Sequence, residues 1–294
     1  MLKSNSKNLV TLSVLGEVTS AVWPSNRQYR IGHTGELAVI PGTGGICYSH
    51  VIGDNATTLI GDHVEPGVSI AHSNANCNAA LNTLACIGNV ARIISGDAKG
   101  KEGIITGKHG GVEHVMVDFS AEVMESLSIG DKIQVIAVGT GLSLPHFSDI
   151  KVMNCSPTLL EKWDLTLDPK KKSIQVPVTH LVPAKIMGSG LGATTCHSGD
   201  YDIQLFDPQV VKRHRLSTLR FGDIVAIVDA DHSYGRRYYE GAVSIGVIVH
   251  SDSTMSGHGP GVTTLLTSPK KGTIHPIIHK DANIGKILSL GRWR

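Results

Sequence analysis

The most regular alternation of apolar and polar positions in this chain lies at 221–268, FGDIVAIVDADHSYGRRYYEGAVSIGVIVHSDSTMSGHGPGVTTLLTS. Residues 224–228 are apolar and rich in β-branched side chains, which suits a buried strand. Val243, Ile245, Val247 and Val249 alternate with Ala242, Ser244, Gly246 and Ile248, giving one branched face and one mostly small face. Residues 262–266 supply a third run. If the three strands form a meander, the two intervening loops lie at opposite ends of the sheet. A ten-residue strand spans roughly 33 Å. Asp231 and His232 in the first loop are therefore expected to stand apart from His250, Asp252 and His258 in the second.

The same reading predicts strands at 9–14, 37–40, 132–138 and 174–178, after an extended start over 1–30. Helices are expected at 76–88, capped by Asn76 or Asn78 and ended by Gly88, and at 121–127. Two more open on a cap followed by proline, Ser156-Pro157 to about 163 and Asp207-Pro208 to about 219. Residues 139–149 carry two glycines, a proline and no periodicity. They place a boundary between an N-terminal β-rich domain, 1–145, and a C-terminal α+β domain with glycine-rich loops, 150–294. The fold class is a β-rich α+β arrangement. It combines a small SH3-like barrel at about 89–140 with a mostly antiparallel or mixed sheet in the second half.

Composition narrows the function. The chain has 294 residues and a net charge of +2, so nothing drives it as a whole toward nucleic acid or membranes. Its 33 glycines and 4% aromatic content suit many tight turns. Fifteen histidines raise the expectation of metal or acid–base chemistry. The five cysteines are scattered and form no CxxC, which argues against a disulfide framework or a structural zinc site. Residues 1–15 lack a signal-peptide pattern and no apolar run is long enough to span a bilayer, so a cytoplasmic protein is expected.

The candidate chemistry sits in loops. In GDHVEPGVSIAHSN (61–74), His63 and Glu65 are two apart and share a face if extended; they are the candidate acid–base pair. Asp200 and Asp202 flank Tyr201 in the same way. With Asp229, Asp231 and His232 they form the candidate ligand set for a divalent metal ion, which would make a bound water nucleophilic. Arg236 or Arg237 would hold a substrate carboxylate. The glycine-rich loops Gly188, Gly190, Gly192 with Thr194, and Gly257, His258, Gly259, offer N–H groups and hydroxyls to an anion. Lys108-His109-Gly110-Gly111-Val112-Glu113-His114 is a further, less specific polar cluster.

Two short resemblances follow from these residues. Residues 90–107, with Gly96, Lys99, Gly100 and Gly103, resemble a KOW motif, which implies a small barrel and a partner surface for protein or RNA. Asp97, Glu102, Glu113 and Asp118 dilute its basic side, which argues against nucleic acid. The GD-strand-Asp phrase at 222–231 is faintly similar to acetamidase/formamidase enzymes. Over nearly the whole chain, GHTGELAVIPGTGG (32–45), DHVEPGVSI (62–70), MGSGLGA (187–193), DYDIQ (200–204) and GAVSIGVIVHSD together resemble a family of bacterial and archaeal proteins classed as a domain of unknown function. That resemblance carries no catalytic residue with it. Two readings stand: a metal-assisted hydrolase or lyase acting on a small polar molecule, or a non-catalytic protein binding an anionic metabolite or a protein or RNA partner. A homo-oligomer is expected under either.

Overall fold

The computed structural model describes residues 3–23 and 28–294; the rest of the expected extended start lies outside the described residues. Six antiparallel strands close into a barrel in the N-terminal region. Leu12–Val18 pairs with Lys132–Ala137, followed by Val90–Ile93, Glu102–His109, His114–Asp118 and Gly67–Ala71. Gly67–Ala71 returns to the first strand through Val18↔Ile70. Ile46–Cys47 adds a short strand outside this ring. Closure leaves no long exposed edge. Inward-pointing Val18, Val68, Ile70, Ile93, Ile105, Val117, Ile133 and Val135 fill the barrel. Helix Ala75–Leu84, capped by the Asn74 side chain, adds Leu81.

Four of the six strands fall within the expected 89–140 barrel; the other two come from earlier in the chain. Short-range alternation cannot report this closure, because the pairing of Leu12–Val18 with Lys132–Ala137 spans more than a hundred residues.

The second half holds a mixed five-stranded sheet in the order Lys151–Val152, Val262–Ser268, Arg237–Ile248, Ile224–Asp231, His180–Pro183. Its last pair is parallel and the others antiparallel. The meander is present: Asp231 faces Arg237 at one end, while Ile224 faces Val247 at the other. A smaller sheet of Thr166–Asp168, Ser173–Val178 and Ile274–Ile278 packs on the same apolar core, which includes Val176, Phe221, Ile245 and Leu266. Helix Pro208–His214 is shorter than expected; Arg215 ends it in the left-handed conformation, φ 57°. No described helix is long and apolar enough to cross a membrane.

The barrel meets the second sheet along Glu102–His109. Gly107 allows close approach: a Cβ there would lie 2.4 Å from Val249 Cγ1. The Thr263 hydroxyl donates to the Lys108 carbonyl at 3.1 Å. Fully buried Lys108 sends Nζ to Asn154 Oδ1 at 2.7 Å and to the His197 carbonyl at 2.8 Å. These contacts press His109 against the loops of the second half.

Burial of the Lys108 ammonium without a carboxylate lowers its pKa from the ordinary 10.5 to about 8. The unfolded chain then holds more protons than the folded one between those values, so this residue makes stability rise with pH across that window. The gap corresponds to roughly 3 kcal/mol at most. In Lys108→Met that contribution is absent. Denaturant unfolding from about pH 7.5 to 10.5 is expected to show wild type gaining on the variant by up to about 3 kcal/mol; a constant difference would contradict the buried, easily deprotonated ammonium.

Candidate metal centre

Three loops and one strand end converge where the barrel meets the second sheet. The 61–66 loop is clamped to residues 251–254. Val64 N–H donates to Ser251 Oγ at 2.8 Å, and His63 N–H to the Asp252 carbonyl at 3.0 Å. Asp62 Oδ1 accepts Ser253 Oγ at 2.7 Å, and Oδ2 pairs with Arg30 at 2.7 Å. This clamp holds His63 in the left-handed region, φ 54°, a conformation costing a non-glycine residue roughly 1–2 kcal/mol.

The 187–204 loop is laced to its surroundings by backbone bonds. Gly188 N–H donates to the Asp202 carbonyl at 2.8 Å, Asp202 N–H to Ser189 at 3.0 Å, and Ile203 N–H to Pro260 at 3.0 Å. Along this extended piece Tyr201 turns into the core while Asp200 and Asp202 face the other way, as alternation requires.

The side chains form two adjoining groups, His63–Asp202–His258 and His109–Asp200–His250. In the first, His63 Nε2 lies 3.1 Å from His258 Nδ1 and 3.7 Å from Asp202 Oδ2, and His258 Nδ1 lies 3.2 Å from that oxygen. A tetrahedron with ligands about 2.0–2.1 Å from its centre has edges of roughly 3.3 Å. The three observed edges bracket that value, so these atoms fit three corners around one ion. In the second group His250 Nε2 lies 2.6 Å from Asp200 Oδ2. Asp202 touches both groups, because its Oδ1 is 3.6 Å from His250 Nε2.

Three of the four histidines have Nδ1 committed behind them. His63 Nδ1 bonds Asp62 Oδ2 at 3.0 Å, His250 Nδ1–H donates to the Ser251 carbonyl at 2.9 Å, and His109 Nδ1 bonds Glu65. A partner on one ring nitrogen fixes the tautomer and aims the other nitrogen at a cation. Glu65 is itself buried and also bonded by Ser69 Oγ and by His114 Nδ1, the latter at 3.0 Å.

The charges are balanced tightly. Burial works against ionising Asp202, yet bonds from His250, His258 and His63 hold its carboxyl well below the usual range. Burial likewise disfavours a charged His250, but Asp200 and Asp202 outweigh it and raise its pKa well above 6.5. His63 is raised too, by Asp202 and Asp62 against burial. Burial, reinforced by the His250 charge, lowers His109. Two carboxylates facing four imidazoles form a donor set that retains extra protons or accepts cations in their place.

A cavity of about 500 Å³ opens beside these groups. His63, Asp202, His258, His109 and Asp200 line it, together with Ser189, Gly190, Thr194, Ser198 and Arg236. Fully buried His250 lies behind. The His63–Asp202–His258 group thus keeps an open side, as metal sites that act on substrate do.

Asp200 and Asp202 sit in the two groups, and His258, expected to touch substrate, stands among the ligand atoms. His63 joins them; Glu65 holds His109 and His114 from behind and does not line the cavity. The structure places none of Asp229, Asp231 and His232 in either group, because their side chains are partnered elsewhere, although the His232 ring packs edge-on against Tyr201 at 5.5 Å and Arg236 of the same loop reaches the cavity. Asp229 lies in a β-bulge with φ 62° and accepts the Gly241 N–H at 2.8 Å. Asp231 pairs with Arg237 at 2.8 Å. His232 bonds Thr264 Oγ1 at 2.7 Å, and burial, joined by the Arg236 charge, pushes it down to about 3, so it stays neutral.

Arg237 is 58% exposed, whereas Arg236 lines the cavity. The glycines differ from expectation as well. A Cβ on Gly188 would lie 2.0 Å from the Gly257 carbonyl, and one on Gly259 1.8 Å from that of Ile203, so both serve close backbone packing. The N–H groups of Gly188, Gly192 and Gly259 are spent on Asp202, Arg236 and Asp202 acceptors, and do not cradle an anion.

Sequence reasoning left His109 and His250 out of the ligand set, and His114, offered with His109 only as a less specific polar cluster, holds Glu65 behind the groups. A readable signal existed for His109: it and His114 bracket a glycine turn and face each other across the hairpin.

Comparisons with known proteins agree with a shared architecture. The model for domain of unknown function DUF4438, N-terminal, matches residues 29–161, and that for DUF4438, C-terminal, matches 162–288. The crystal structure of TM1086 is similar at 44% identity and a TM-score of 0.93, covering 99% of each chain. No curated protein matches. These comparisons give no support to the KOW-like likeness of residues 90–107 or the acetamidase-like likeness of 222–231. Matched along almost its whole length by the two halves of one family model, the chain belongs to the DUF4438 family.

Proposed function

We propose that the chain is a metal-dependent hydrolase acting on a small polar molecule in the 500 Å³ cavity. The observation that carries this reading is the first group: three ligand atoms 3.1–3.7 Å apart, open to the cavity. The mixed imidazole and carboxylate donors suit zinc or manganese. An ion bound there would polarise a substrate carbonyl and lower the pKa of water beside it. The chain's own residues aim and hold. Asp62, the Ser251 carbonyl and Glu65 fix three imidazoles, and Asp202 offers one oxygen to each group. Arg236 and the hydroxyls of Ser189, Thr194 and Ser198 face the substrate space.

Hydrolysis of small amides, lactams and esters bearing a carboxylate tests the proposal on protein as purified. Turnover lost with a chelator and restored by Zn²⁺ or Mn²⁺ is the expected result. Turnover indifferent to the chelator would contradict it. Metal-loaded protein inert across the panel would favour a non-catalytic protein that binds a small anion.

A further inference from the structure

We infer that Arg236 is the anchor for an oxyanion, a carboxylate or phosphate group, on the ligand that enters this cavity. Arg236 is 5% exposed and lines the same cavity as the two histidine–aspartate groups. Its Nε is buried with no hydrogen-bond partner. Its terminal nitrogens reach only the carbonyls of Gly190, at 3.5 Å, and Ser198, at 3.3 Å. Among the described residues no carboxylate pairs with it. The other buried arginine among the described residues, Arg30, sits 2.7 Å from Asp62. A guanidinium does not give up its proton, so a buried one lacking a counter-ion carries an unpaid desolvation cost.

The local structure packs closely around the fork at the edge of the cavity. Gly190 has φ +91°, and a Cβ there would come within 3.3 Å of Arg236 Nη1. The Tyr201 ring lies beneath, 5.8 Å from the guanidinium carbon. Gly192 N–H donates to the Arg236 carbonyl and Arg236 N–H to the Ala193 carbonyl, each at 3.0 Å, so the backbone is fixed while the fork has only two long bonds to carbonyls and none to an anion. A planar fork with free N–H groups matches the paired oxygens of a carboxylate or phosphate. That such a ligand is also the substrate rests on the metal-centre reading; the anion site itself does not.

The test is titration calorimetry of inorganic phosphate and of malonate into the full-length protein as purified, its metal content measured on the same sample. Wild type is expected to bind at least one of them. Arg236→Met is expected to bind about tenfold more weakly or worse, the loss of a charge-assisted contact, with unchanged metal content and an unchanged or higher melting temperature. Arg236→Lys, which keeps the charge without the fork, falls between. Preference for phosphate identifies a phosphorylated ligand, and preference for malonate a carboxylated one. Wild type binding neither anion, or Arg236→Met binding as well as wild type, overturns the inference. Arg236-dependent binding in metal-free protein would uphold it while removing the metal-centre reading.

Discussion

Asp202→Ala is expected to reduce metal affinity by well over about 100-fold, more than the 10–100-fold typical of losing a residue that merely orients a ligand. Asp202 is the one carboxylate that both histidine groups share, with Oδ2 3.2 Å from His258 and Oδ1 3.6 Å from His250. Alanine removes a corner of the open group and uncovers His250 in the deep one. It also leaves His63 and His250, both with raised pKa values, short of the anion that favours their protonation. The variant is expected to be less stable by roughly 3 kcal/mol, as when one partner of a buried pair is removed. Equilibrium dialysis against Zn²⁺ and thermal unfolding check the two effects. Wild-type affinity in Asp202→Ala would mean that the ion, if bound, sits elsewhere.

Gly261→Ala is expected to discriminate between the groups. The Cβ of that alanine would lie 2.0 Å from Asp200 Oδ2 and 2.2 Å from His250 Nε2. The added methyl therefore occupies the space the deep group would give to a cation. The three atoms nearest to it all belong to Asp200 and His250, none to His63 or His258. Overfilling a packed site costs roughly 1–3 kcal/mol, so the variant is expected to fold. Metal content should fall by half, the His63–Asp202–His258 group keeping its ion. One ion per chain in both wild type and Gly261→Ala would show that the deep group holds no metal, and His250 would then be a protonated imidazolium paired with Asp200.

Much of the scaffold could be read from the chain. The strand Val262–Ser268, the caps at Ser156 and Asp207, and the meander all follow from local pattern, because each is decided within a few residues. Within the site, the two-residue spacing of Asp200 and Asp202 correctly placed both on one face. What local pattern cannot carry is pairing at long range. His109 reaches Asp200 and His250 only because Gly107 and Thr263 dock the barrel on the second sheet.

Adjacent acidic and histidine residues misled at 229–232. There Arg237 pairs with Asp231, Thr264 holds His232 Nδ1 and Asp229 sits in a β-bulge, and neighbours along a strand point to opposite faces. Glycine loops misled for a related reason. The same residue type permits an exposed N–H cradle and a tight backbone crossing, and only the three-dimensional partner separates them. Glu65 was visible as a charged group beside His63, but its role behind His109 and His114 depends on a hairpin more than forty residues away.

The most direct measurement is elemental analysis of protein purified without an affinity tag, set beside Asp202→Ala prepared in the same way. A divalent ion for each of the two groups in wild type, lost in the variant, is the predicted result. Wild-type protein free of metal and unable to take up Zn²⁺ or Mn²⁺ on dialysis would contradict the metal centre.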